Sequence, residues 1–337
     1  FTGAFAHFVE AMIDQVERRR KDSIVPGRQF GNYVLEDKLI ESSMGSIFRA
    51  RHIMLRRPAA IKFLRAETND RESIRQFERE VQLTSKLCHP NTISIFDYGH
   101  TVDDLFYYAM EYIDGLTIDR LVRCKGPVND GRVLHFLLQA CGSLPEAHAH
   151  GLVHRDVKPQ NIIISEGVGY GDRITVLDFG LVSITNETSG QGRTIRGTPC
   201  YMSPESAACH ETVDARSDLY SLAAVAYFML TGRPIFDGTI HEVLSQHIQT
   251  PPVRPSERTN NAIAGELEEL LMQCLQKDPQ SRPASAGQMI ERLTGCATEQ
   301  RWSQKDSVDW WESFRRHPIA TTSVDFDACA EAVIGMT

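Results

Sequence analysis

The dominant apolar period of this chain changes between Tyr112 and Gly115, and that change limits what it can fold into. Before it, from Tyr33 to about Tyr112, short runs alternate in the two-residue rhythm of β-strands. Tyr33–Leu39 and Ser46–His52 read as a hairpin, Pro58–Leu64 ("PAAIKFL") follows, and "TISIFDYG" and "LFYYAMEYI" supply two more strands. One helix interrupts them, capped by Asp70, carrying Ile74, Phe77 and Val81 on one face, running to about Leu87 and closed by Pro90. After the change, helices dominate. Val133–Ala149 reads as one helix, kinked where Pro145 removes a donor and crowds the preceding turn. Ile162–Ile164 and Ile174–Leu177 are short strands around a Gly-rich turn, and a polar loop runs from Ser183 to about Arg196. Leu219–Leu230, "LYSLAAVAYFML", is apolar nearly all round, the mark of a buried central helix, and Gly232 stops it. Ala264–Leu275 and Ala284–Leu293 are further helices. The expected class is α+β: a small antiparallel sheet with one helix, then a larger, mainly helical part.

Composition narrows the function classes. The 337 residues allow two domains or one large unit of two lobes. A net charge of −8 argues against a general nucleic-acid binder. Eight scattered cysteines with no CxxC pair suit reduced thiols better than a disulfide framework or a zinc site. The run Leu219–Leu230 is too short to span a bilayer, and no signal peptide is present. A cytoplasmic location is expected, the alternative being the cytoplasmic part of a membrane-anchored protein. A chain that starts with Phe1 reads as a fragment, with anything upstream hidden.

Three short motifs then occur in order: Lys62 in "AIKFL", "HRDVKPQN" from His154 to Asn161, and "DFG" from Asp178 to Gly180, directly after an apolar strand. One alone is weak, but the ordered set is specific. Over about residues 33–295 the chain resembles a protein kinase of the eukaryotic type, and Lys158 makes it similar to the serine/threonine branch, as found in bacteria. The resemblance implies a bilobal protein-kinase fold, ATP as co-substrate and Mg²⁺, with Mn²⁺ as the alternative ion. Phosphoryl transfer passes through a loose, highly charged transition state, so such a protein mainly positions groups and neutralises charge.

By that resemblance Lys62 holds the α- and β-phosphates, oriented by Glu80 of "FEREVQL". Asp156 orients the substrate hydroxyl and receives its proton. Asn161 and Asp178 are the oxygen donors for Mg²⁺, and Lys158 contacts the γ-phosphate. Ile40, Ser42, Gly45, Ile47, Ala60, Met110, Glu111 and Ile113 line the nucleotide. Thr198, in "GTPCYMSPE", hydrogen-bonds near Asp156 and Lys158. Glu205 pairs with Arg282, and Asp218 braces the catalytic loop; these are scaffold, as are His154 and Phe179 by packing. Arg155 beside the catalytic carboxylate needs a partner, and phosphorylated Thr194 is the one expected, with Thr188 and Ser189 as rivals. The histidines of "HAHGLVH" have a spacing that suggests a metal. His154 belongs to the kinase motif, however, and His148 and His150 sit at a helix end.

One stretch departs from the family pattern. In "LIESSMGSIFRARH" three glycines are expected, and Ile40, Ser42 and Gly45 stand there. Glycine lets backbone N–H groups approach phosphate oxygens without a Cβ in the way. The expected penalty is weaker nucleotide binding and a less well-placed γ-phosphate; a misplacement of about 1 Å can reduce the rate roughly 10²-fold. Lys62, Glu80, Asp156, Asn161 and Asp178 are nevertheless all present, whereas degenerate pseudokinases usually lose at least one. The reading is therefore an enzyme, slowed by its lid. The alternatives are a pseudokinase scaffold, favoured by Ile40 and Ser42, and a small-molecule kinase, disfavoured by "GTPCYMSPE".

Both ends lie outside the resemblance to the catalytic unit. Residues 1–32 read as an amphipathic helix (Phe5, Phe8, Met12 and Val16 in one stripe) and a linker. This helix is expected to meet an upstream sensor module, to pair with a second copy, or to pack on the small lobe. The catalytic unit spans 33–295, divided into 33–112 and 115–295. Residues 296–337 hold a helix capped by Ser303 with Asp306, whose Trp302, Trp310 and Trp311 are expected to pack on the helical lobe. The resemblance implies protein substrates; Gln160 before Asn161, where some relatives carry an acid, weakens a preference for basic peptides.

Overall fold

The computed structural model describes residues 24–42, 45–64, 78–79, 81–100, 106–167, 171–179, 198–208, 210, 213–298 and 301–316. The N-terminal helix, Asp70, Ile74, Phe77, Glu80, Gly180, the polar loop and Thr194 lie outside them. The chain divides into two compact units, Phe1–Asn69 with Ile95–Tyr112, and Asp70–Ser94 with Ile113–Thr337.

The first unit is an antiparallel sheet of β1 (Gln29–Phe30), β2 (Tyr33–Ser42), β3 (Gly45–His52), β4 (Pro58–Leu64), β5 (Ile95–His100) and β6 (Phe106–Glu111), in the order β1-β2-β3-β4-β6-β5. Alternation along the strands sends Phe48, Ala50, Ala59, Ile61, Phe63, Tyr107 and Ala109 to one face, where they are buried with Phe30, Tyr33 and Leu35. Phe63 sits edge-on to Phe30 and Phe48, at centroid distances of 4.8 and 5.9 Å. Two register shifts in β2, between Leu35 and Ile40, re-aim the strand so that Ile40 stands opposite Ile47. β1 was not expected, because residues 1–32 read as helix and linker. Two residues are too few to show alternation, yet Phe30 is a core residue, and Gly31 (φ 53°) permits the turn that brings it there. A Cβ on Gly31 would lie 2.7 Å from the Tyr107 hydroxyl.

The second unit holds a three-stranded antiparallel sheet, β7 (Gly115–Thr117), β8 (Ile162–Gly167) and β9 (Gly171–Val176), under a helical core. Helix α1 (Ile118–Lys125) follows β7, and then α2 (Asp130–Gly142) and α3 (Leu144–Ala149) replace the single kinked helix expected over Val133–Ala149. Pro145 explains the break. It lies in the first turn of α3, where its missing N–H is harmless. After the short α4 (Pro204–Ala207), α5 (Ala215–Thr231) is the central helix, and Leu219–Leu230 are all buried. Gly232 ends it in the left-handed conformation (φ 71°), its N–H returning to Phe228 O at 2.8 Å. Helices α6 (Ile240–Gln249), α7 (Gly265–Cys274) and α8 (Ala286–Gly295) complete the core. The helical residues 81–84 belong with this unit rather than with the sheet that precedes them, and the loop after them is held by Glu146, which accepts from the N–H groups of Cys88 and His89.

The C-terminal helix α9 (Gln304–Arg316) docks here as well. Ser303 Oγ accepts from Asp306 N at 3.2 Å while Asp306 Oδ2 accepts from Ser303 N at 2.9 Å, the reciprocal cap read from the sequence. Its anchor was not foreseen. Asp172 Oδ1 accepts from Ser307 Oγ at 2.7 Å and from Trp311 Nε1 at 2.8 Å, and Oδ2 pairs with buried Arg132 at 2.8 Å. The Arg132 guanidinium lies 4.1 Å from the Trp310 ring centroid and 4.5 Å from that of Trp302. Burial pulls Arg132 below the usual arginine range, against the opposite pull of Asp172.

Candidate active site

The loop His154–Asn161 joins α3 to β8, and its shape is set from the first turn of α5. Asp218 accepts from the backbone N–H of His154 (Oδ2, 2.9 Å) and of Arg155 (Oδ1, 2.9 Å), and His148 Nε2 meets Oδ2 at 2.8 Å. Arg155 needs such a brace, since it has φ 64°, a left-handed conformation costing roughly 1–2 kcal/mol for a residue with a Cβ. His148 is therefore scaffold. His150 bonds the carbonyl of Glu146, and no cluster of metal-ligating side chains forms among the described residues.

His154 is fully buried and links two motifs. Its Nδ1 accepts from Asp156 N (3.3 Å), which leaves Nε2–H to donate to Leu177 O at 2.8 Å, and its ring packs 4.7 Å from that of Phe179. Phe179 O accepts in turn from Thr84 Oγ1 at 3.3 Å. Leu177 N donates to Asn161 O at 2.8 Å, so the two motifs are stitched together on both sides. Asp178, two residues past β9, is buried with φ 54°.

Within this frame the two oxygens of Asp156 have different surroundings. Oδ2 accepts from Asn161 Nδ2 at 3.0 Å and pairs with Lys158 Nζ at 2.8 Å. Among the described residues nothing donates to Oδ1. Asn161 Nδ2 also donates to Asp156 O at 2.9 Å, which fixes the amide and makes its oxygen the atom left for a cation. An amide oxygen and the Asp178 carboxylate are hard donors, few enough for Mg²⁺ or Mn²⁺ to keep phosphate oxygens and water as its other ligands. The residues present fit that ion. Lys158 lies against Asp156, while Thr198, at the start of the turn Pro199–Tyr201, makes no side-chain hydrogen bond to either among the described residues. Gln160 Nε2 donates to Asp119 Oδ1 at 3.1 Å, a link the sequence did not suggest.

Further scaffold is as expected. Arg282 grips Glu205 with two parallel bonds, Nη1–Oε1 and Nη2–Oε2, each 2.7 Å, in a buried setting, and Ser217 donates to the same carboxylate. Burial would raise the Glu205 carboxyl, but Arg282 and Ser217 together hold it below its ordinary 4.5.

In the first unit the register sorts the nucleotide candidates. Ile40 faces Ile47, Ile47 faces Lys62, Lys62 faces Tyr108, and Ala60 faces Met110. Directly opposed residues share a face, so Ile40, Ile47, Ala60, Lys62 and Met110 all lie on the side away from the aromatic core. Glu111 ends β6, and Ile113 is the first residue of the second unit. Ser42 pairs with Gly45 (φ 146°) to close the β2–β3 hairpin around residues 43–44. Glu80 and Thr194, the expected partners of Lys62 and Arg155, lie outside the described residues.

Comparison with known proteins identifies the family. The family model described as "Protein kinase domain" matches residues 33–293. Serine/threonine-protein kinase pkn3 of Myxococcus xanthus is 35% identical over 277 residues, covering 80% of this chain and 50% of the relative. Serine/threonine-protein kinase PknB of Mycolicibacterium smegmatis is 37% identical over 265 residues (76% of this chain, 41% of the relative), and PrkC of Bacillus subtilis is 34% identical over 287 residues (84% and 43%). The chain thus spans half or less of the length of these curated relatives. Among solved structures, the Mycobacterium tuberculosis PknI kinase domain matches with a TM-score of 0.64 and 27% identity, over 81% of this chain and 99% of that one.

Proposed function

Because this chain belongs to the protein kinase family, in its eukaryotic-type bacterial serine/threonine branch, we propose that it transfers the γ-phosphoryl group of ATP to serine or threonine hydroxyls of proteins. The observation that carries this reading is the asymmetry of Asp156, with Oδ2 engaged by Asn161 and Lys158 and Oδ1 meeting no donor among the described residues.

Asp156 Oδ1 orients the hydroxyl and takes its proton as the oxygen–phosphorus bond forms and the bond to the β-phosphate oxygen breaks, releasing ADP. Lys158 neutralises charge beside that carboxylate, at the γ-phosphate. Lys62 holds the α- and β-phosphates, with Glu80 as its orienting acid. Asn161 and Asp178 would hold Mg²⁺, with Mn²⁺ as the alternative, and that ion when bound would supply charge neutralisation on the phosphate. Ile40, Ile47, Ala60 and Met110 cover the base, Glu111 and Ile113 meet its edge, and Ser42 and Gly45 lie over the phosphates. Thr198 contributes to the substrate loop. Arg155 receives a phosphate on Thr194 when the loop is ordered.

The protein substrates act on the cytoplasmic side, and the N-terminal helix meets an upstream sensor module or a second copy. No helix among the described residues is long and apolar enough to cross a membrane. Radiolabelled ATP with Mg²⁺ tests the reading. Wild type should label a general serine/threonine substrate or itself, and Asp156→Asn should not. Equal incorporation in both, or none in either, overturns it.

A further inference from the structure

The ladder between β4 and β6 ends at the pair Ala59–Glu111, so Tyr112, the next residue, is beyond its last rung. Arg49 stands where the ladder stops helping. It follows Ile47 by two residues on β3, which puts both side chains on one face, and it lies directly across from Ala60, whose other neighbour is Met110. Its guanidinium lies over the Tyr112 ring, 5.0 Å from the centroid. Arg49 Nε is 3.1 Å from Glu36 Oε2, yet among the described residues that buried nitrogen has no partner in hydrogen-bond geometry. The ring contact and the charge of Glu36 together hold the guanidinium there. Glu36 is itself fixed, because its other oxygen pairs with Arg51 Nε at 2.7 Å.

We infer that Arg49 is a positioning residue for the purine: by holding Tyr112 it fixes the adjoining backbone of Glu111, the segment assigned to the edge of the base. This rests on the nucleotide reading above and adds to it a residue that no sequence motif marks. A cation over a half-exposed ring contributes modestly, so losing it should weaken binding of the base about two- to fivefold. The phosphates are held by other residues, and their affinity should not move.

Calorimetry on the full chain with adenosine and, separately, with Mg²⁺-tripolyphosphate tests this. Arg49→Met, which keeps the apolar stem but not the charge, and Tyr112→Leu should each weaken adenosine about two- to fivefold, and the double variant should weaken it no further. Tripolyphosphate affinity should stay at the wild-type value in all three. Arg51→Ala, which touches the same carboxylate but not the ring, should leave adenosine unchanged. Unaltered adenosine binding in Arg49→Met overturns the inference while leaving the nucleotide site intact. So does a parallel loss of adenosine and tripolyphosphate, or an equal loss in Arg51→Ala, since either assigns the effect to the sheet as a whole. A wild-type chain that binds neither ATP nor adenosine overturns the nucleotide reading itself.

Discussion

Single residues carry the chemistry here only because neighbours have fixed their orientation. Asn161 donates its amide hydrogens to Asp156, which leaves its oxygen as the end available to a cation, and the same contact occupies one oxygen of the carboxylate proposed to be catalytic. Asn161→Ala should therefore lower kcat and raise the Mg²⁺ concentration needed for half-maximal rate, as steady-state kinetics at varied Mg²⁺ would read. His247 makes a second residue-scale case. It is fully buried against Tyr220 (OH to Nδ1, 2.8 Å) and Phe236, and burial together with nearby Lys277 presses it down to about 4. Between about 4 and the ordinary 6.5 the unfolded chain binds a proton that the folded chain refuses, so stability falls as the solution is acidified through that window. Urea unfolding at pH 7.5 and pH 5 should show wild type losing about 2 kcal/mol more than His247→Gln. An equal loss would mean the imidazole is not held neutral. Lys62, Asp156, Asn161 and Asp178 owe their proposed roles to short motifs, because charge chemistry restricts those positions. Partners such as Asp119 for Gln160, or Glu36 and Tyr112 for Arg49, could not be read from motifs, since they depend on register and on packing between segments distant in sequence.

Elements differ in how far their sequences announce them. The central helix α5 was legible because it is apolar all round and ends in Gly232, and the C-terminal helix because Ser303 and Asp306 form a reciprocal cap. β1 is too short, at two residues, to announce itself, and the separation of α2 from α3 reads only as a kink because Pro145 signals a disturbance without giving its size. The docking of α9 was expected only as apolar packing. Its polar centre at Asp172 joins β9, α2 and α9 in one buried group. Trp311→Ala opens a cavity and leaves an acceptor short of a donor, and should destabilise by about 3–5 kcal/mol. Trp311→Phe should lose far less, and thermal or urea unfolding separates the two. The β2–β3 hairpin makes the opposite kind of prediction. Ser42→Gly removes a Cβ at the position paired with Gly45 and should lower KM for ATP and raise kcat; unchanged kinetics would show that the serine is no hindrance.

At the scale of the whole molecule, the chain divides into a sheet unit and a mainly helical unit. Each has its own buried core, aromatic in the first and built around α5 in the second. What could not be read was the assignment of the segment Asp70–Ser94, which lies between strands of the first unit yet groups with the second. Local periodicity says helix; the bonds from Glu146 and to Phe179, made by residues far along the chain, decide where it belongs. The proposed function requires Lys62, in the first unit, and Asn161 and Asp178, in the second, each to contribute to nucleotide binding. Calorimetric titration with ATP, with and without Mg²⁺, tests that requirement most directly. Binding should tighten when Mg²⁺ is present, and Lys62→Met and Asp178→Asn should each weaken it about tenfold or more, as expected when a charged hydrogen-bonding group is lost. A wild-type chain that takes up no ATP, or binds it equally with and without the ion and in both variants, would contradict the account.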